Sequence, residues 1–189
     1  MNISFWKGDL IRLRAVEPED WKHFFQWRED TYFQQTTDRI TFPRSQEAVK
    51  RWAADCALAE PKDDAYRWVI ENHEGEFVGT INTYTCDPRH GTLKYGLGIR
   101  REYWRRGYAT EAIRIVLRYF FEELRYQKAN VQVYDFNQGS VDLHRRLGFQ
   151  EEGRLRRMGY SQGQYYDWIV MGVTREEFGA VERQRGSDR

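Results

Sequence analysis

Between Tyr95 and Ala112 the chain reads YGLGIRREYWRRGYATEA: a strand-like run, a short basic loop, a glycine, then the start of a strongly periodic segment. Gly107 at the mouth of a helix lets backbone approach a phosphate closely. The unpaired N–H groups of Tyr108, Ala109 and Thr110, together with the helix dipole, then favour its negative charge. Arg105 and Arg106 add cations beside that point, and the Thr110 hydroxyl can donate one more hydrogen bond. The same glycine would also serve a plain strand-to-helix turn. There is no G-x-x-x-x-G-K-[ST], and no G-x-G-x-x-G after a strand, which argues against a nucleoside triphosphatase.

A second constellation shifts the balance toward a ligand. In NQGSVDLHRRLGF, Asn137 caps a short helix, Ser140 and His144 lie four residues apart on one face, and Leu143 and Leu147 flank them. Taken together, WRRGYATEA, the later N-x-x-S helix, L-G-F and the Glu152-Gly153 pair resemble the coenzyme A-binding motifs of the GCN5-related N-acetyltransferases. Within that superfamily the pattern looks most like the Rim-type branch, which includes ribosomal-protein N-terminal and some polyamine or antibiotic acetyltransferases. The resemblance covers nearly the whole chain, from IRLRAVEPED to the last strand.

What the resemblance implies is specific. The fold would be the acyl-CoA N-acyltransferase fold, and the activity transfer of acetyl from acetyl-coenzyme A, a cosubstrate, to a primary amine, with no metal. Gly98 and Ile99 would lie at a strand bulge whose backbone pairs with the pantetheine arm. Residues 105–110 would hold the pyrophosphate, Asn137 and Ser140 would line the pantetheine, and Arg146 would meet an adenosine-side phosphate unless it is a surface charge paired with Asp142. His144 stands where many relatives carry a tyrosine that protonates the departing thiolate, so His144 or Ser140 becomes the candidate acid. Lys94 stands where many carry an acidic residue, so a usual base is missing; Glu71 and Asp167 are candidates elsewhere, each also readable as a surface or turn carboxylate. Trp104 and Arg105 also depart from the pattern and make the loop bulkier and more cationic.

The missing base bears on the acceptor. An α-amine of pKa about 7.8 is ~10–15% neutral at pH 7, whereas a lysine amine of pKa about 10.4 is less than ~0.1% neutral, so a peptide N-terminus or a small molecule with a low-pKa amine suits such a site better. Polyamines, amino acids and aminoglycosides remain acceptor classes to be tried. Loss of the usual acid and base also motivates a different class of function, a catalytically silent coenzyme A-binding sensor or scaffold.

The elements that must position these residues can be read from periodicity. Residues 10–13 alternate as a strand. A short helix follows from Pro18 with Trp21, Phe24 and Phe25 on one face, and another starts at the N-cap Ser45 with Ala48, Val49, Trp52, Ala53 and Cys56 as its stripe. Strands at 66–71, 77–86 and 92–99, separated by NHEG and DPRHG, predict an antiparallel meander. From Thr110 to Leu124 the apolar residues repeat with helical period; then come a strand through Ala129, Val131 and Val133, a helix over 137–147 stopped by Gly148, and strands at 149–161 and 164–174 joined by Gln162-Gly163. This order predicts an α+β fold, a mixed and mostly antiparallel sheet of about seven strands with helices on both faces. The acceptor pocket is expected among the N-terminal helices and the closing hairpin, with Trp21, Trp27, Phe33, Trp52 and Tyr165 as candidate walls.

Whole-chain properties exclude other classes. The length of 189 residues predicts a single domain over residues 1–181, and the apolar-poor ERQRGSDR a disordered tail over 182–189. Thirty basic against 29 acidic residues leave no field for non-specific nucleic-acid binding, despite the run Arg154, Arg156, Arg157. Cys56 and Cys86 form no metal or disulfide pattern. With no signal peptide and no long apolar run, the expectation is a cytoplasmic protein without membrane association, and a homodimer is left open.

Overall fold

Alternating and helical periods resolve into seven strands and six α-helices in the computed structural model, which describes residues 4–37 and 40–187. The strands are β1 (Ile11–Arg14), β2 (Arg67–Asn72), β3 (Phe77–Asp87), β4 (Thr92–Ile99), β5 (Lys128–Tyr134), β6 (Gln150–Ser161) and β7 (Gln164–Thr174). The helices are α1 (Trp21–Trp27), α2 (Thr31–Thr37), α3 (Gln46–Ala57), α4 (Tyr108–Arg118), α5 (Gln138–Arg146) and α6 (Arg175–Ser187). The strand order is β1-β2-β3-β4-β5-β7-β6. Its pairings are antiparallel between β1 and β2, β2 and β3, β5 and β7, and β6 and β7, and parallel between β4 and β5. The expected mixed, mostly antiparallel α+β sheet is therefore observed.

The chain gathers into two compact units, Met1–Tyr84 with Gly96–Val116, and Thr85–Tyr95 with Leu117–Arg189. In the first unit, Val16, Phe24, Trp27, Val49, Val69 and Phe77 form a buried cluster, with Trp21, Phe25, Phe33, Trp52 and Cys56 half-buried against it. Ser45 caps α3 as expected, its Oγ accepting from the Ala48 N–H at 3.2 Å. Helix α1 enters through a 3₁₀ turn, Pro18–Asp20, fixed by charge. Arg14 donates to both oxygens of Asp20 at 2.8 Å and through Nε to Glu71 at 2.6 Å. Burial pushes the Asp20 carboxyl up, but the hydrogen bonds from Arg14 and the Glu17 N–H outweigh it and hold the group below its ordinary value. Helix α2 has no sequence expectation behind it; its residues lack an apolar stripe, and it is held by Phe33 stacked on Trp27 and by Gln34.

In the second unit, β4 pairs with β5 at Thr92, Leu93 and Lys94. Gln162 and Gly163, with φ of 50° and 78°, form the left-handed turn that joins β6 to β7. Asn137 caps α5, accepting from the Ser140 N–H at 3.2 Å, and Gly148, with φ of 91°, ends it. The tail differs from expectation. Residues 182–187, read from sequence as disordered, continue α6, while 188 and 189 lie outside the described residues. The helix starts from a capping box in which Glu177 accepts from the Thr174 N–H at 2.8 Å and Thr174 Oγ1 accepts from the Glu177 N–H at 3.3 Å. Phe178 anchors it, buried with its ring 5.7 Å from Phe121. Among the described residues no helix is long and apolar enough to cross a membrane.

Candidate active site

The anion loop is built from backbone strain relieved by one glycine. After a 3₁₀ turn, Arg101–Tyr103, the chain passes through extended Trp104, left-handed Arg105 (φ 60°) and left-handed Gly107 (φ 84°) before α4 begins. The first helical hydrogen bond runs from the Glu111 N–H to the Gly107 carbonyl at 3.1 Å. The N–H groups of Tyr108, Ala109 and Thr110 precede it, so helix geometry gives them no acceptor within α4. Arg105, Arg106 and Gly107 are exposed, and Arg106 sits over the Tyr103 ring at 5.4 Å. Trp104, the departure from the family pattern, braces the loop: its Nε1 donates to the Ile99 carbonyl at 2.7 Å. The first turn of α4 is fixed by Glu111, whose carboxylate accepts from the N–H groups of Asp9, Leu10 and Ile11, each at 2.8 Å. Donors with no acceptor inside α4, a glycine in the left-handed region and two exposed cations suit a pyrophosphate.

A cavity of about 590 Å³ opens in the same unit. Phe24, Trp27, Phe33 and Trp52 wall it, and Gly96, Leu97 and Gly98 of β4 form one side. Trp27 and Phe33 stack at 4.1 Å. A Cβ on Gly98 would lie 2.6 Å from Phe33 Cζ and 3.0 Å from Trp27 Cη2, so only glycine lets these rings lie against the strand. Trp27, Phe33 and Trp52 were legible as walls. Trp21 instead packs on the core cluster under Lys50, and Tyr165 belongs to the β6–β7 hairpin, exposed and covered by Arg157 at 4.4 Å.

Three arginines that sequence reasoning missed also line the cavity: Arg28, Arg44 and Arg67. No spacing marks them, because they come from the end of α1, the segment before α3 and the start of β2. Burial lowers the pKa of both Arg28 and Arg67, and the charge of Arg44 lowers that of Arg28 further. Among the described residues no carboxylate lines the cavity.

Helix α5 carries the sequence-derived acid candidates. His144 is buried, its Nδ1 lies 2.7 Å from the Ser140 carbonyl, and its ring contacts Phe149 and Tyr95. A carbonyl only accepts, so Nδ1 carries the proton and Nε2 holds a bare lone pair. Burial pushes the imidazole pKa down to about 4, against a smaller upward pull from the Ser140 carbonyl. The ring is thus held neutral, with a lone pair on Nε2. Ser140 is half-buried, and its Oγ stands 3.4 Å from His144 Nδ1, which leaves its own proton available elsewhere.

The remaining candidates separate. Arg146 is exposed at the end of α5, while Asp142 stands 3.9 Å from Arg145. Lys94 is half-buried on β4. Glu71 is buried and accepts from Nε of both Arg12 and Arg14 at 2.6 Å, and Asp167 accepts from the Arg157 N–H at 2.9 Å. Both carboxylates are engaged in these hydrogen bonds within the fold. Of the basic run on β6, Arg154 lies 3.7 Å from Asp135 and 3.5 Å from Asp167, while the Arg157 guanidinium lies over Tyr165.

The glycine loop at the N-terminus of α4 follows β4, the strand that also borders the aromatic cavity. The chain belongs to the acetyltransferase (GNAT) domain family, whose model matches residues 11–150, across both compact units. Membership makes it an N-acetyltransferase. It is 39% identical over 178 residues, 94% of this chain and 97% of the other, to the uncharacterized N-acetyltransferase YokL of the SPbeta prophage of Bacillus subtilis (strain 168). To spermidine N(1)-acetyltransferase of Escherichia coli (strain K12) it is 25% identical over 176 residues, covering 93% of this chain and 92% of that one. Spermidine N-acetyltransferase from Vibrio cholerae, solved with CoA and spermine, superposes with a TM-score of 0.78 at 20% identity, covering 90% of this chain and 99% of that one.

Proposed function

We infer that the chain transfers acetyl from acetyl-coenzyme A to the primary amine of a small molecule or peptide by direct attack, with an α-amine as the preferred nucleophile. The observation that carries this reading is the placement, within one unit, of the loop at 105–110 and of a cavity bordered by Gly96, Leu97 and Gly98 on the strand leading to that loop. The α4 N-terminus, Arg105 and Arg106 hold the pyrophosphate, and the backbone of Gly98 and Ile99 supports the pantetheine arm and the developing oxyanion. An amine held in the cavity is brought into line with the thioester, which removes most of the entropic cost of a bimolecular step.

The lining supports a low-pKa amine. None of the described lining residues is a carboxylate or a histidine, so the amine must enter neutral or lose its proton to water. Three guanidinium groups disfavour a nearby ammonium and raise the neutral fraction. On α5 we assign the proton for the departing thiolate to Ser140, because His144 is neutral and directs its N–H at a carbonyl.

The test is thiol release from acetyl-coenzyme A across peptide N-termini, amino acids, polyamines and aminoglycosides, with calorimetry of acetyl-coenzyme A alongside. Turnover with at least one α-amine is expected. Tight binding without turnover on any amine would favour the sensor or scaffold reading.

A further inference from the structure

In the first unit, four guanidinium groups outside the cavity are met by carboxylates: Arg12 and Arg14 by Glu71, Arg14 also by Asp20, Arg101 by Asp30 at 2.7 Å, and Arg100 by Glu102 at 2.8 Å. The three in the cavity are not. Arg28 Nη2 donates to Thr41 Oγ1 at 2.8 Å, Arg44 Nη2 donates to the Ala48 carbonyl at 3.0 Å, and Arg67 lies over the Trp52 ring at 5.8 Å. Each guanidinium offers five N–H donors, so most of this donor capacity is unspent. Arg28 and Arg44 are near enough for one charge to depress the pKa of the other, and Arg67 is depressed by burial. Gathering three cations at a half-enclosed, aromatic-walled surface that has no carboxylate among its described lining residues is costly, and an anion seated among them reverses the sign of that cost.

We propose that the acceptor carries an anionic group, a carboxylate or a phosphate, which Arg28, Arg44 and Arg67 receive while its amine faces β4. This deepens the acetyl-transfer reading and rests on it. The size of the acceptor follows from the sheet. Arg67 pairs with Asn82 across β2 and β3, and the Asn82 side chain lies against Gly96 on β4. Two strand spacings, about 10 Å, separate the arginine backbone from the strand at the thioester. A long arginine side chain shortens that gap, so amine and anion belong to one small molecule or to a short peptide. Bidentate pairing with a planar or tetrahedral oxyanion suits guanidinium groups. A polycation such as spermidine meets like charges instead.

Two matched pairs of amines test this on the full chain: glycylglycine against glycylglycinamide, and O-phosphoethanolamine against ethanolamine, with spermidine as the polycationic comparison. In kcat/KM for thiol release, the anionic member of at least one pair is expected to exceed its neutral partner by about tenfold or more, with spermidine lowest. Which pair shows the larger ratio distinguishes carboxylate from phosphate. Arg67→Gln and Arg28→Gln should each shrink the ratio several-fold while acetyl-coenzyme A affinity, read by calorimetry, holds. Should one variant fail to fold, the other and the wild-type ratios still decide. Equal use of both members of both pairs, efficient use of spermidine, or ratios unchanged in the variants would overturn the proposal. If no amine is turned over, the transfer reading fails, and calorimetry of glycylglycine against its amide still judges the arginines: no preference sinks them as an anion site.

Discussion

Replacing His144 with leucine should flatten the acid limb of the stability profile. The imidazole titrates at about 4 in the folded chain against an ordinary value of 6.5, because it is buried and only its Nδ1–H is satisfied. Between these values the unfolded chain binds a proton that the folded chain does not. Stability from this group is therefore complete above about pH 6.5 and drains away as the pH falls toward 4. Linkage puts the loss at about 2 kcal/mol between pH 7 and pH 5, and at about 3 kcal/mol once both states are protonated. Urea unfolding of wild type and His144→Leu at the two pH values reads this directly, as the difference between their slopes. Leucine is close in volume and removes the bare Nε2, so the variant should be no less stable than wild type at pH 5. Equal pH dependence in both proteins, or an NMR titration of His144 near 6.5, would refute the neutral-ring argument. It would also restore the imidazolium as a candidate acid. On the present assignment, Ser140→Ala should cost about 10²-fold in turnover, whereas His144→Leu should cost far less.

Other outcomes follow from the loop and its brace. Gly107→Val should abolish acetyl-coenzyme A binding in calorimetry, since its φ of 84° is closed to a β-branched residue and its Cβ would meet Leu10 Cδ1 at 3.0 Å. Unchanged affinity would remove the loop from the cofactor site. The double change Arg105→Gln, Arg106→Gln should weaken that binding about tenfold at low salt and less at high salt, and a loss independent of salt would point to distortion of the loop. Glu111→Ala strips three backbone N–H groups of one carboxylate, and should lower unfolding stability by about 2–4 kcal/mol; a loss below about 0.5 kcal/mol would show that water replaces the carboxylate at no cost.

Much of the scaffold is written locally. The apolar period of α4, the caps at Ser45 and Asn137, the stop at Gly148 and the turn at Gln162-Gly163 each depend on a few neighbouring residues, and each appears where the sequence puts it. The glycine loop is legible for the same reason, since a left-handed residue ahead of a helix is a local demand. Helix α6 was legible in part: its T-x-x-E box was there to be read, but a polar tail hid a helix that Phe178 alone anchors firmly.

Charge neutralisation and solvent exclusion are not local, and that is where sequence reading stopped. Glu71 reads as a candidate base until Arg12 and Arg14, 59 and 57 positions away in the chain, close on it. His144 reads as an acid from its place on α5, and burial holds its ring neutral with the one remaining proton on Nδ1. Arg28, Arg44 and Arg67 carry no motif at all, and meet only because the end of α1, the segment before α3 and the start of β2 come together at one cavity, which has no carboxylate among its described lining residues. The glycine loop is a short run of neighbouring residues, whereas the cavity gathers charges distant in sequence, whose energies depend on what the fold leaves beside them.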